Sequence, residues 1–263
     1  PYLPALATRI LRWFGVRYTL DYDDAIFHQY DNHRSFIIRY LLSKKISNVM
    51  RGSEVVIVGN NYLADYASAA GAKRVEVVPT VLALKSYPLP CQRSRADAVF
   101  KIGWIGSPST AKYLKAIAPA LAEVCSGGQA RVVLIGSGPC SLCGVPIDII
   151  EWSEETEVAE LNQIDVGIMP LPDELWARGK CGFKLIQYMA CGLPVVASPV
   201  GINREIVEHE HNGYLTTDHA SWVDALTELR DNKAIGEKMG RRGRAIVESN
   251  YNLEISATKL LGV

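Results

Sequence analysis

Short apolar runs alternate with longer amphipathic segments along most of the chain. In its first 90 residues, apolar runs at 16–22, 54–60 and 75–80 are separated by segments whose apolar positions have helical spacing. The runs are rich in Val and Ile and lack polar alternation, which is typical of strands buried on both faces of a parallel sheet. Alternation of such strands with helices predicts doubly wound α/β architecture.

The same pattern restarts after a polar, proline-containing segment at residues 87–98, which we interpret as an interdomain linker. Five further strands are predicted beyond it, at residues 100–108, 131–138, 145–152, 165–171 and 194–200. The predicted fold class is therefore α/β, with two Rossmann-like doubly wound domains. Ligands bind such sheets outside the carboxyl ends of the strands, so we expect a site in a cleft between the domains.

The domain limits follow from this pattern. We expect a partial N-terminal Rossmann-like domain at residues 1–90, a second at 91–250 and a C-terminal crossover helix at 251–263. Three strands are fewer than the five or six of an average sheet, so the first domain is expected to be incomplete. A small first domain is the alternative.

Composition narrows the class of protein. The net charge is zero, with 48% hydrophobic and 21% charged residues, which fits a globular protein and argues against a general nucleic-acid binder. No apolar run reaches membrane-spanning length and no secretory leader is evident. The six cysteines are too sparse for a disulfide scaffold, which favours a reducing environment, so we expect a cytoplasmic protein. Cys140 and Cys143 have the spacing of half a zinc site, but a second ligand pair at suitable spacing is missing. We therefore expect no metal.

Basic residues crowd the start of a predicted helix that ends before Gly192. Arg178, Lys180 and Lys184 lie where the helix dipole is positive and bases are mildly unfavourable. On a helix, Lys180, Lys184 and Gln187 would share one face. A phosphate at this helix start would explain the cations, because it would meet backbone N–H groups as well as lysine side chains. The alternative is a solvated basic face.

Small polar residues follow the first strand of the second block. Gly106, Ser107, Ser109 and Thr110 form a strand-to-helix turn where phosphate oxygens could approach the backbone. The alternative is an ordinary turn in which Ser109 or Thr110 caps the helix.

Two further strand ends carry weaker signals. Gly136 and Gly138 match part of a dinucleotide-binding fingerprint, but Ser141 stands where the third Gly belongs, so we favour a plain strand-to-helix turn. Asp23 and Asp24 follow the first strand, where they could contact an acceptor or cap a helix.

The segments "KLIQYMACGLPVVASPVGINREIV" (184–207) and "NGYLTTD" (212–218) resemble the donor-binding region of family 4 glycosyltransferases. Those are retaining enzymes of the GT-B fold, in which a nucleotide sugar binds between two Rossmann-like domains. The resemblance places Lys184 at a family lysine and Gln187 at the second of two paired glutamates, which holds the donor ribose. Gly179 stands at the first glutamate, which contacts the sugar, and Ser107 stands where an Arg is common.

The resemblance and the charge pattern together give a functional hypothesis. It is transfer of a sugar, with retention, from a nucleotide-diphosphate donor to a carbohydrate or lipid-linked acceptor in glycoconjugate synthesis, with no metal or other cofactor. Lys184, Lys180 and Lys112 would neutralise the departing diphosphate, and Asp23 or Asp24 would orient the acceptor hydroxyl. The remaining donor contacts would come from Gln187 at the ribose, from the turn after residue 105, and from Gly201, Ile202, Asn203 and Glu205.

Three alternatives stay open. The chain could bind a nucleotide sugar without turning it over, or it could be a dinucleotide oxidoreductase that uses Gly136 and Gly138. A helix predicted at residues 35–50 mixes apolar and basic residues, so it could bind an anionic surface at the inner membrane face. For that helix we favour packing on the sheet, with its basic side in water.

Overall fold

The computed structural model describes residues 8, 10, 13–89 and 99–260 of the chain. These residues form two compact units. Unit 1 takes the described residues of Pro1–Thr80, Asp173–Cys181 and Ser256–Val263, and unit 2 takes those of Val81–Pro172 and Gly182–Ile255. Most of the predicted linker lies outside the described residues, but Tyr87 at its start is buried in the core of unit 2.

Unit 1 is built on a parallel sheet of three strands in the order β1-β2-β3. The strands are β1 (Thr19–Tyr22), β2 (Val55–Val58) and β3 (Val75–Val77), which confirms the three predicted apolar runs. Its first helices are α1 (His28–Asp31), α2 (Phe36–Leu42), α3 (Lys45–Gly52) and α4 (Asn61–Ala69).

The prediction of a single helix at residues 35–50 is wrong, because α2 and α3 are separate. The break falls at Ser43 and Lys44, where Lys44 leaves the helical region with φ −90° and ψ 5°. Ile38, Leu42 and Ile46 recur every fourth residue and contact the unit 1 core. Each four-residue step rotates a straight helix by about 40°, so a break lets both helices keep their apolar residues on the core.

Unit 2 contains a six-stranded parallel sheet with the order β6-β5-β4-β7-β8-β9. From β4 the chain builds outward through β5 and β6, and then crosses to the opposite side of β4 to form β7. Such a reversal creates a crevice at the carboxyl ends of β4 and β7. The strands are β4 (Phe100–Ile105), β5 (Ala130–Ile135), β6 (Ile147–Ile150), β7 (Val166–Met169), β8 (Val195–Ala197) and β9 (Gly213–Leu215).

Helices follow most of these strands, but β5 and β6 are joined without one. The plain strand-to-helix turn predicted at Gly136 and Gly138 is therefore wrong, and the loop lacks the helix start that a dinucleotide fingerprint requires. The later helices are α5 (Pro108–Ala111), α6 (Ala118–Cys125), α7 (Glu157–Leu161), α8 (Leu175–Arg178), α9 (Phe183–Ala190), α10 (Asn203–Ile206), α11 (His219–Asp231), α12 (Lys233–Asn250) and α13 (Leu253–Leu260), with 3₁₀ turns at Leu84–Ser86 and Lys112–Ile117.

Helix α9 lies in the core of unit 2, where Tyr188 fixes its orientation. The fully buried Tyr188 hydroxyl accepts a hydrogen bond from Ile105 N at 2.9 Å and lies 3.3 Å from the Ile168 carbonyl oxygen, to which it donates. These partners belong to β4 and β7, so Tyr188 holds α9 against the two strands that flank the crevice. In the described part of the chain, no helix is both long and apolar enough to cross a bilayer.

Candidate functional site

The start of α9 lies beside the loop that follows β8. Gly182 precedes the helix in the left-handed conformation, with φ 71° and no side-chain cap. A Cβ on Gly182 would fall within 3.0 Å of the Ile206 side chain and 3.2 Å from that of Ile202, so the start of α9 closely approaches both α10 and the loop before it. The first N–H groups of a helix have no acceptor within it, which leaves this end suited to an anion.

Lys184 lies in the first turn of α9, and its ammonium group extends over the end of β4. Its Nζ is 4.0 Å from the centroid of the Trp104 ring, an arrangement that attracts a cation to the ring face. A Cβ on Gly106 would fall within 3.0 Å of the same Nζ, so only glycine leaves room for the ammonium there. Lys184 and Gly106, both predicted donor-site residues, therefore meet at the crevice between β4 and β7.

The turn after Gly106 is capped differently from the prediction. Ser107 is the N-cap of α5 and Pro108 is its first helical residue, so neither Ser109 nor Thr110 caps it. The Ser107 hydroxyl lies 2.9 Å from that of Ser109, and Thr110 Oγ1 donates to the Ser107 carbonyl at 3.0 Å. This turn presents exposed hydroxyl groups at the end of β4. The nearby Lys112 is exposed and holds its Nζ 5.2 Å from the centroid of the Tyr113 ring.

Gln187 lies one turn beyond Lys184 in a hydrogen-bonded cluster with Tyr87, Glu157 and Trp152. Its Nε2 donates to Glu157 Oε1 at 2.6 Å and to the Tyr87 hydroxyl at 3.1 Å. Tyr87 donates to Glu157 Oε1 at 2.7 Å, and Trp152 Nε1 donates to Glu157 Oε2 at 2.6 Å. Burial raises the pKa of the Tyr87 hydroxyl, which keeps it protonated as a donor. Sequence analysis missed Glu157, because no local motif marks it.

The loop after β8 carries the other predicted donor-site residues. Asn203 is fully buried, and its Nδ2 donates to the Ser198 carbonyl at 3.0 Å, so this amide closes its own loop. Ile202 is buried, whereas Gly201 is half-buried and Glu205 is exposed. Of these four residues, Gly201 and Glu205 therefore present the most surface to a ligand.

Lys180 lies in unit 1 rather than on α9. The helix begins at Phe183, after the left-handed Gly182, so the prediction that Lys180 and Lys184 share a helix face is wrong. Lys180 Nζ forms an ion pair with Asp24, 2.8 Å from Oδ1, and the Lys180 carbonyl accepts from Asn60 Nδ2 at 3.1 Å. The pair is partly buried, with 21% of the lysine side chain and 31% of the aspartate exposed, so solvent weakens it only in part.

The packing around Gly179, which the resemblance aligns with a family glutamate, leaves little room for a side chain. A Cβ on Gly179 would fall within 3.0 Å of the Ala25 side chain, so a larger residue does not fit in this packing. The Cys181 thiol donates to the Asp23 carbonyl at 2.9 Å, and burial raises the pKa of this thiol to about 11. The Asp23 side chain is exposed, beside the Asp24 carboxylate that Lys180 contacts.

Other candidate sites in the sequence gain no support from the geometry. Cys140 and Cys143 are free thiols. In the described ranges, no group of three or more His, Cys, Asp or Glu side chains is placed to hold a metal ion.

Comparison with known proteins gives both a family and a fold. The family "Glycosyl transferases group 1" matches residues 99–232, about half of the chain. A relative from Bacillus anthracis, N-acetyl-alpha-D-glucosaminyl L-malate synthase, is 26% identical over 153 residues, which cover 54% of this chain and 39% of that protein. The match thus spans well under half the length of that relative.

Solved structures extend the similarity to almost the whole chain. HepE of Anabaena, solved in complex with UDP, has a TM-score of 0.77 at 16% identity and covers 98% of this chain and 74% of its own. Sucrose-phosphate synthase of Thermosynechococcus elongatus has a TM-score of 0.72 at 17% identity, over 98% of this chain and 70% of its own. These structural similarities confirm the predicted GT-B fold class. The family match confirms the resemblance to glycosyltransferases that the sequence motifs indicate. The chain belongs to the group 1 glycosyl transferases.

Proposed function

We propose that this protein transfers a sugar from a nucleotide-diphosphate donor to a carbohydrate or lipid-linked acceptor, with retention at the anomeric carbon. The observation that supports this proposal most is the Lys184 ammonium, held over Trp104 and Gly106 at the crevice between β4 and β7. A cation at the start of α9 adds to the positive end of the helix dipole, which favours a bound anion. A pyrophosphate group supplies that anion.

Electrostatic stabilisation of the leaving group is the proposed source of catalysis. As the glycosidic bond breaks, negative charge accumulates on the departing diphosphate and positive charge on the anomeric carbon. Lys184 neutralises the negative charge on the diphosphate. The N–H groups of the first turn of α9, the hydroxyls of Ser107 and Ser109 and the Lys112 ammonium assist it. These groups are in place before the reaction, so little reorganisation is needed, and we propose that no metal ion is required.

Unit 1 is proposed to serve the acceptor. The Asp24 carboxylate is held by Lys180 at 2.8 Å, and Asp23 beside it is exposed at the carboxyl end of β1. A carboxylate here accepts a hydrogen bond from the acceptor hydroxyl and orients it. Because Lys180 forms an ion pair with Asp24, we assign this lysine the role of positioning that carboxylate.

A thermal-shift screen of nucleoside diphosphates and nucleotide sugars tests the donor assignment. A ligand at about a hundred times its dissociation constant stabilises the protein by about 2.7 kcal/mol, which raises the melting temperature measurably. We expect a shift with at least one nucleoside diphosphate and none with NAD. A shift with NAD alone, or with no nucleotide at all, would contradict the proposal.

One observation favours binding without turnover as a second candidate function. Gly179 lacks the carboxylate that the family resemblance places against the sugar, and Ala25 blocks a larger side chain there. Incubation with the nucleotide sugar that the screen selects separates the two. Release of nucleoside diphosphate in the presence of acceptor supports transfer, whereas tight binding without release supports a binding protein.

A further inference from the structure

We propose that Glu157 and Trp152 form the nucleoside subsite of the donor site, with Glu157 binding the ribose hydroxyls and Trp152 the base. This inference rests on the proposed function, because it assumes that a diphosphate binds at Lys184. The inference adds to the proposed donor site two residues, Glu157 and Trp152, that no sequence motif marks.

Position along α9 is the first argument. Lys184 and Gln187 are three residues apart, so their side chains leave one face of the helix about 5–6 Å apart. Glu157 Oε1 is 2.6 Å from Gln187 Nε2, so the carboxylate lies at the polar end of the Gln187 side chain. In a nucleoside diphosphate the ribose is joined directly to the α-phosphate. A ligand whose phosphates lie at Lys184 therefore places its ribose near Glu157.

The hydrogen bonding of Glu157 is the second argument. Oε1 accepts from both Gln187 and Tyr87, whereas Oε2 accepts from Trp152 alone in the contacts described above. A carboxylate accepts about four hydrogen bonds, so Oε2 has capacity for one more. The three donors fix the carboxylate in place, and Glu157 is half-buried, so a ligand can reach it. A ribose hydroxyl supplies the fourth donor.

Trp152 provides a surface for the base. It follows β6 at the carboxyl edge of the sheet, and 49% of its surface is exposed. The hydrogen bond from the indole Nε1 to Glu157 holds one edge of the ring. The base of the side chain packs closely on Gly136, since a Cβ on Gly136 would lie 3.0 Å from the Trp152 Cβ. An exposed aromatic ring held in this way can stack on a nucleobase, an interaction of about 1–3 kcal/mol per base.

Calorimetric binding of UDP, GDP and pyrophosphate to single variants tests this subsite. We expect Glu157→Gln to weaken nucleotide binding about tenfold or more, because it removes a hydrogen bond to a charged group. Pyrophosphate binding should stay unchanged, since pyrophosphate has no ribose. Glu160→Gln is the matched control, because it makes the same charge change one turn along α7. It should alter the binding of neither nucleotide nor pyrophosphate. Trp152→Ala should weaken nucleotide binding, and Trp152→Phe should retain most of it.

A reciprocal exchange controls for damage to the fold. Glu157→Gln combined with Gln187→Glu returns a carboxylate to the cluster and should recover nucleotide binding. Nucleotide binding that Glu157→Gln leaves unaltered would overturn the inference but not the donor site. Equal weakening of pyrophosphate and nucleotide would also overturn it, by showing a general structural effect. If the unsubstituted protein binds neither nucleotide nor pyrophosphate, both this inference and the proposed function fail.

An independent observation on unit 1 concerns the outer face of α2. Phe36, Ile37, Tyr40 and Leu41 are 65–77% exposed, although Ile38 and Leu42 already supply the apolar contacts of this helix with the core. The packing on the sheet that we favoured from the sequence therefore accounts for only one side of α2. The exposed residues are four apart in two pairs, so they lie together, and the Phe36 and Tyr40 rings stack with centroids 6.1 Å apart.

The charge of the segment that contains α2 indicates what this face binds. Between Asp31 and Glu54 there is no acidic residue, while Arg34, Arg39, Lys44, Lys45 and Arg51 are basic. A protein of zero net charge therefore has one strongly cationic segment beside exposed apolar side chains. We infer that this face of α2 binds an anionic lipid bilayer, with the apolar residues inserted at the interface and the cations at the headgroups.

Co-sedimentation with vesicles of phosphatidylcholine, with and without phosphatidylglycerol, tests this second inference. We expect binding only to the anionic vesicles. Ile37→Ser or Leu41→Ser should reduce it about tenfold or more, since each removes several inserted carbons. Lys44→Gln should reduce it about fivefold, the typical effect of one cation at such a surface. Ile149→Ser, at a 47% exposed apolar residue of β6, and Lys115→Gln are controls that should bind normally.

Other results would overturn the bilayer inference. Equal binding to neutral and anionic vesicles would contradict the role of charge, and no binding to either would contradict the inference outright. A dimer in gel filtration that Leu41→Ser converts to a monomer, without vesicle binding, would assign this face to a second copy of the chain. None of these results bears on nucleotide binding, so the donor site is tested separately.

Discussion

Replacement of Lys184 by alanine is expected to lower donor turnover at least tenfold while leaving the fold intact. The side chain is half-buried, and its ammonium lies 4.0 Å from the Trp104 ring centroid at the end of β4, where the proposed leaving group gains charge. Loss of a single stabilising group at such a position typically costs about 10²–10³ in kcat. Turnover is measured as nucleoside diphosphate released from the nucleotide sugar selected by the thermal-shift screen.

Two variants separate the charge of Lys184 from its packing. Lys184→Met keeps an aliphatic chain over Trp104 without the ammonium, so it should lose as much activity as the alanine variant. Lys115→Ala removes an exposed lysine elsewhere in unit 2 and should leave turnover unchanged. An unaltered rate in Lys184→Ala, with normal folding by circular dichroism, would remove this lysine from the mechanism.

Replacement of Gly240 by alanine is expected to lower the free energy of unfolding, although alanine is the better helix former. A Cβ at this position would fall within 3.0 Å of the backbone carbonyl of Gly192, in the turn that ends α9. A backbone atom cannot rotate away as a side chain can, so either α12 or the turn must shift. Overpacking of this kind costs about 1–3 kcal/mol, and we expect the upper end of this range by urea unfolding.

Gly236 is the matched control, four residues earlier in the same helix. A Cβ there would be 3.6 Å from Pro194, its nearest neighbour, which is an ordinary contact distance. Because alanine favours helix more than glycine does, Gly236→Ala should be neutral or stabilising by about 0.5–1 kcal/mol. Equal effects of the two substitutions on the free energy of unfolding would show that α12 does not depend on the close approach to Gly192.

The strands could be predicted because each depends on its own residues. Apolar runs such as residues 54–60 must be buried on both faces, and a parallel sheet between helices is the arrangement that achieves this. The short strand β9 (Gly213–Leu215) was missed, since three residues carry too little pattern. The break between α2 and α3 was also missed, because only the position of the core shows how far a straight helix would rotate its apolar stripe away.

The candidate site likewise contains residues that the sequence could predict and residues that it could not. Lys184 could be predicted because its unusual position, a base near the start of a helix, is visible in a few consecutive residues. The cluster around Glu157 could not, since Gln187 lies 30 residues from Glu157 and 100 from Tyr87 along the chain. The pairing of Lys180 with Asp24 spans 156 residues, and it changes the role assigned to this lysine.

By itself, the sequence determined the α/β class, the parallel strands and the cation at the start of α9, because burial periodicity and helix polarity act over a few neighbouring residues. Only the tertiary structure decided which charges are neutralised, which carboxylate accompanies Gln187 and where glycine is required. The physical reason is that these properties depend on distances between residues far apart in the chain, and strand order sets those distances.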